Sequence, residues 1–251
     1  MTGRYPILTA AAIALAALQP LAALAADTPH WVHYKLLNGS AALPKKVVVV
    51  PAGIRVYEMT AGGVKEEVPE WSAEAANNVL KSLSAALARN ARLQEVKLPR
   101  LAAADAANLE EHKALYKLVV NTAASSGLEH KVRHFDYAIG PGLAALQRAT
   151  GADAALIVHG RDYASTAGRK AKAVLGHIPL VNIFTGAAPE LGYSFVHLGI
   201  VDLRTGDLLW MSSEYRDGAS NLRNHEDANA IVEALFKWYP GIEEYRRAYV
   251  K

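Results

Sequence analysis

The sequence contains no cysteine. That absence excludes disulfides, thiolate zinc centres, cysteine nucleophiles and an acylated N-terminal cysteine. Glycine and proline are sparse, 18 and 11 in 251 residues, and 51% of the chain is hydrophobic. Collagen-like and disordered classes therefore fall away, and a sizeable core can be buried without staples. An excess of one charge is missing too, with 27 Lys and Arg against 24 Asp and Glu. Such a balance leaves no electrostatic footprint for nucleic acid, and no nucleic-acid partner is expected.

What is present begins with an address. Arg4 is the only charge before Asp27, and it precedes an apolar, alanine-rich run from Ile7 to Leu18. Pro20 and the small-residue box Ala23-Leu24-Ala25 follow. This is the pattern of a secretory signal peptide over residues 1–25, and the run is shorter than the ~20 residues that cross a bilayer. A single exported α/β domain over 26–251 is expected, periplasmic and not a lipoprotein.

Along that domain, residues 27–46 read as a polar-aromatic lead-in with His30, Trp31, His33 and Tyr34. Val47–Val50 is a β-branched run, and Pro51 announces an edge, a bend or a bulge in its continuation through Tyr57. Ser72 is placed to cap a helix carrying Val79, Leu80, Leu83 and Leu87 on one face. Leu93–Leu98 reads as a short strand, Asp105 opens a long helix, and Gly140-Pro141-Gly142 reads as the turn that starts another. Ala154–Tyr163 is a strand, as are Tyr193–Asp202 and Leu208–Tyr215, a hairpin pair around Arg204-Thr205-Gly206-Asp207. Asn224 or Asp227 starts a final helix. The fold class is thus α/β (α+β): one mixed sheet of about five strands, helices on one or both faces, ending in a β-hairpin and a C-terminal helix.

The stretches Thr150-Gly151-Ala152-Asp153 with its following strand, and Val201-Asp202-Leu203-Arg204-Thr205-Gly206-Asp207-Leu208-Leu209-Trp210, resemble a group of small bacterial envelope domains. The group includes the curli secretion channel subunit, the outer-membrane activators of peptidoglycan synthases and the N-terminal domain of the Tol system's propeller protein. The resemblance implies a non-enzymatic binding or assembly module, an envelope protein partner, and homo-oligomers such as dimers or rings. Many members of that group are lipoproteins, a feature the missing cysteine removes here.

Catalytic patterns are weak. His130 and His134 share a helical face if that segment is helical, but Lys131 and Arg133 intervene, so a metal pair there competes with ordinary solvated histidines. No Gly-x-Ser-x-Gly elbow, P-loop or His-Glu-x-x-His occurs, and no cofactor is expected. The connection 165–192 is unusually long for a hairpin and runs from basic (Arg169, Lys170, Lys172) to apolar. It either folds back over the sheet or contacts a protein partner or a membrane surface. Arg161, Tyr163, Arg169, Lys170 and Lys172 are the expected contact surface. An exported hydrolase of cell-wall or ester substrates and a periplasmic ligand carrier are the alternative readings.

Overall fold

The computed structural model describes residues 30–60, 62–125, 135–165, 192–218 and 220–249. The elements are β1 (His30–Val32), α1 (Tyr34–Leu37), β2 (Lys46–Met59), β3 (Lys65–Glu67), α2 (Pro69–Arg89), β4 (Gln94–Val96) and α3 (Ala103–Ser125). They continue as α4 (Ala144–Thr150), β5 (Ala154–Ser165), β6 (Gly192–Asp202), β7 (Leu208–Asp217), α5 (His225–Phe236) and α6 (Ile242–Tyr249). The strands form one mixed sheet in the order β1-β7-β6-β5-β2-β3, with β4 also on β2. β2 runs parallel to β4 and β5, and the remaining pairs are antiparallel.

Among the described residues the sheet has seven strands, against the expected five or so. The two additions, β1 and β3, have three residues each, too short for alternation to mark them. β1 lies in the supposed lead-in, where Trp31, Val32 and His33 are buried. Ser72 is not the cap of α2. The helix starts at Pro69, and the Ser72 hydroxyl donates to the Val68 carbonyl while accepting from the Val56 N–H. Pro141 likewise lies before α4, whose N-cap is Leu143. The bulge is where Pro51 announced it: the β2–β5 register shifts between Val50 and Gly53.

Helices cover both faces. α2 and α5 pack together on one, α2 against β2 and α5 against β7, where Trp210 stacks on Phe236 with ring centroids 6.4 Å apart. α3 lies on the other face, with Leu109, Tyr116, Val120 and Ala123 buried and Leu115 and Leu118 exposed. On β2, Val47, Val48 and Val50 are fully buried, which at ~1.5–3 kcal/mol per valine side chain explains why this run organises the centre of the sheet.

Both quoted motifs turn out to be joinery. Gly151 (φ +65°) ends α4, and the Asp153 carboxylate accepts the Lys45 and Lys46 N–H groups at 2.9 Å, tying β5 to β2. In the hairpin, Asp202 accepts from the N–H groups of Arg204 and Thr205. Gly206 takes φ +76°, and a Cβ there would lie 1.9 Å from the Gly140 carbonyl oxygen, so only glycine fits.

Candidate functional site

Side chains alternate between faces along a strand, so the register assigns one set to the α3 face. β5 contributes His159, Arg161 and Tyr163; β6 contributes Tyr193, Phe195 and His197; β2 contributes Gly53, Arg55 and Tyr57. Across the sheet these fall into three successive rows. The innermost joins Gly53, His159, His197 and Ser213; the next joins Arg55, Arg161, Phe195 and Tyr215; the outermost holds Tyr57, Tyr163 and Tyr193 and ends at Asp217.

The histidine row is buried beneath α3. His159 and His197 are 4% and 6% exposed, with ring centroids 6.2 Å apart. His159 Nδ1–H donates to the Gly53 carbonyl at 3.1 Å, which leaves Nε2 as the lone-pair nitrogen, buried and without a hydrogen-bond partner. His197 Nδ1 lies 2.6 Å from Ser213 Oγ. Burial pulls His159 down to about 4, helped by the charges of Lys117, Arg161 and Arg55 and opposed by the Gly53 carbonyl. Burial also takes His197 to about 4, with His159 adding to it. Both rings are therefore neutral at neutral pH. Tyr116 of α3 lies over Gly199 with its hydroxyl buried and unpartnered, and burial raises its pKa.

The middle row carries an unbalanced charge. Arg55 and Arg161 stand directly opposite one another in the β2–β5 register, an arrangement that costs stability when like charges face each other. Arg55 is relieved by an ion pair with Glu67 of β3. Arg161 makes no ion pair with any described residue. Lys117 of α3 reaches the same region: a Cβ on Gly53 would sit 2.7 Å from its Cε. Burial lowers the Lys117 pKa, and the charges of Lys113, Arg55 and Arg161 push the same way against Glu110.

The outer row is aromatic. The Tyr57 and Tyr163 rings stack at 5.2 Å, Tyr163 and Tyr193 lie 4.5 Å apart, and Tyr193 meets Tyr215 at 5.9 Å. Lys65 of β3 places its ammonium 4.5 Å from the Tyr163 ring centre and donates to the Tyr193 hydroxyl at 3.3 Å. Tyr163 is 7% exposed, whereas Tyr215, which meets Tyr193 diagonally from the middle row, is 59% exposed. Large aromatics beside arginine are the residue types that dominate protein interfaces.

Arg161 and Tyr163 thus fall in adjacent rows of one face, as neighbours of a common surface. Arg169, Lys170 and Lys172, the metal candidates His130 and His134, and the connection 166–191 lie outside the described residues. No group of three or more His, Asp or Glu side chains able to hold a metal occurs among the described residues. No described helix is long and apolar enough to cross a membrane. Sequence reading missed His159, His197, Lys117 and the four-tyrosine alignment. The residues alternate visibly along each strand, but which strands lie side by side, and in what register, is a tertiary property.

No family profile matches the chain, and no curated protein matches it. Among solved structures, the PelC dodecamer from Paraburkholderia phytofirmans is similar, with 14% identity, TM-score 0.34, 83% of this chain and 93% of that one covered. A point variant of that dodecamer gives 13% identity, TM-score 0.33, and coverage of 83% and 95%. A hypothetical protein from Chlamydia trachomatis gives 10% identity, TM-score 0.34, and coverage of 83% and 100%. These neighbours are other proteins than the three envelope groups the sequence resembles, and at such scores they carry no functional argument.

Proposed function

We propose that the chain is an exported, non-catalytic binding module of the bacterial cell envelope that engages a protein partner through the α3 face of its sheet. The observation that carries this reading is the chain of ring contacts from Tyr57 through Tyr163 and Tyr193 to Tyr215 on four adjacent strands, next to an Arg161 without an ion pair among the described residues. A structural core has no need of a run of tyrosine contacts that leads to an exposed ring, or of two arginines set opposite each other. An interface does, because rigid aromatics and guanidinium groups supply contact area and directional hydrogen bonds. Export is supported by Arg4, the Ile7–Leu18 run and the Ala23-Leu24-Ala25 box. The sequence resemblance to envelope assembly domains supports the same role and adds self-association to it.

The test is a photo-crosslinking residue introduced at position 215, with position 89 on α2 as the opposite-face control. A discrete adduct from 215 and none from 89 is expected. Equal labelling from both positions overturns the reading. Fractionation with N-terminal sequencing is expected to find periplasmic protein beginning at Ala26, and cytosolic protein retaining residues 1–25 contradicts export. Light scattering that reads a monomer mass at all concentrations removes self-association.

A second reading, an exported hydrolase, has one observation in its favour, the 2.6 Å contact between Ser213 Oγ and His197 Nδ1. A hydroxyl beside an imidazole is the core of an activated nucleophile. However, a ring held near 4 is a weak base, and no carboxylate orients it among the described residues. Ester hydrolysis lost in Ser213→Ala favours this reading, and unchanged activity removes it.

A further inference from the structure

The middle row bears on what the partner brings. Lys117 arrives from α3 and Arg161 from β5, and neither has a carboxylate among the described residues, because Glu67 is taken by Arg55 and Glu110 by Lys113. Lys65 is turned onto the Tyr163 ring rather than onto an acid. By sequence, 126–134 and 166–191 carry five Lys or Arg and two Glu. A half-buried cation pair beside a rigid aromatic row costs stability in the isolated chain, through desolvation and like-charge repulsion. An anion supplied from outside removes both costs. The planar guanidinium of Arg161 offers a two-pronged donor that matches a carboxylate, and the Tyr57–Tyr163–Tyr193 rings beside it offer an apolar surface. A free inorganic anion would leave that aromatic surface unused, and a flat lipid headgroup layer would not insert a side chain next to it.

We propose that the α3 face receives a carboxylate-rich segment of the protein partner, its acidic side chains on Arg161 and Lys117 and a neighbouring apolar side chain against the tyrosine row. This rests on the partner-binding reading above and specifies the chemistry of that partner.

The experiment is fluorescence anisotropy with the mature protein and a labelled probe peptide in which Glu alternates with Trp. A second probe has Lys in place of every Glu. Inorganic phosphate and phosphatidylglycerol vesicles are the other arms. The acidic probe is expected to bind, to weaken as salt rises, and to lose roughly tenfold or more in affinity in Arg161→Glu and in Lys117→Glu. The lysine probe is expected not to bind. Arg161→Gln and Lys117→Gln, which remove charge without reversing it, give the same direction if a reversed variant fails to fold. Binding of the acidic probe that ignores all four substitutions overturns the assignment. So does equal binding of the lysine probe, phosphate displacement without any peptide binding, or binding to vesicles alone. A crosslinked adduct at position 215 without acidic-probe binding removes the carboxylate assignment and leaves the partner surface standing. Absence of both removes both.

Discussion

At the scale of single residues, His159 and His197, the two histidines buried on the α3 face of the sheet, make the fold less stable in acid. Each has a folded-state pKa of about 4, below the ordinary 6.5. The unfolded chain therefore binds protons that the folded chain refuses as pH falls through that interval. Their contribution to stability is complete above 6.5 and is lost progressively down to about 4, by up to ~3 kcal/mol per histidine. Urea denaturation at pH 7 and pH 4.5 is expected to show a steeper loss in the native sequence than in His159→Gln. An identical loss in both removes His159 as the cause. The glycines of this face give a contrast decided by what stands opposite them. A Cβ on Gly199 would lie 2.7 Å from the buried Tyr116 ring and hydroxyl, which cannot retreat. Gly199→Ala is expected to cost ~1–3 kcal/mol by overpacking. A Cβ on Gly53 comes close only to the end of the flexible Lys117 chain and meets the His159 ring at an ordinary contact distance of 3.6 Å. Gly53→Ala is therefore expected to leave the melting temperature within a few degrees while displacing Lys117. Equal destabilisation of the two variants contradicts the packing described for α3.

At the scale of elements, one buried carboxylate fastens a whole segment. Asp162 of β5 accepts from Ser194 Oγ at 2.8 Å and from the Leu222 N–H at 3.0 Å, across the sheet from the histidines. Burial raises its pKa against those two hydrogen bonds. It holds the turn that leads into α5, whose N-cap Asn224 accepts from the N–H groups of Glu226 and Asp227. Asp162→Ala leaves two buried donors unmatched and is expected to cost ~1–3 kcal/mol, and Asn224→Ala ~1 kcal/mol. Chemical denaturation followed by circular dichroism checks the order; an Asn224 loss larger than the Asp162 loss contradicts it. Legibility followed the same physics. The helical spacing of Val79, Leu83 and Leu87 and the turn residues Asp202 and Gly206 act locally, so α2 and the β6–β7 hairpin could be read from the sequence. β1 and β3 are three-residue edge strands whose pairing is decided by β7 and β2, and nothing within His30–Val32 or Lys65–Glu67 announces it. Ser72 has the chemistry of a cap, but its hydroxyl is used to bind the Val56 N–H, a partner 16 residues away.

At the scale of the whole molecule, the sheet has two faces with different chemistry. One is sealed by α2 and α5 around an apolar core. The other passes from buried histidines through Arg161 and Lys117, which have no ion pair among the described residues, to tyrosines whose ring contacts lead to the exposed Tyr215. Arg161 and Tyr163 could be picked out in the sequence as polar positions on a strand, because alternation is written into that strand alone. Lys117 and the alignment of Tyr57, Tyr193 and Tyr215 could not, since parallel pairing of β2 with β5 joins residues more than 100 positions apart. The near-neutral overall charge hides this asymmetry, which is a matter of placement rather than composition.

The most direct measurement compares crosslinking from position 215 in cells carrying the native sequence and Arg161→Glu, with the two proteins first shown to melt at the same temperature. The account predicts a discrete partner adduct in the native sequence and its loss in the variant. An adduct of equal yield in both would contradict the claim that this face of the sheet, with its guanidinium beside the tyrosines, is where the molecule does its work.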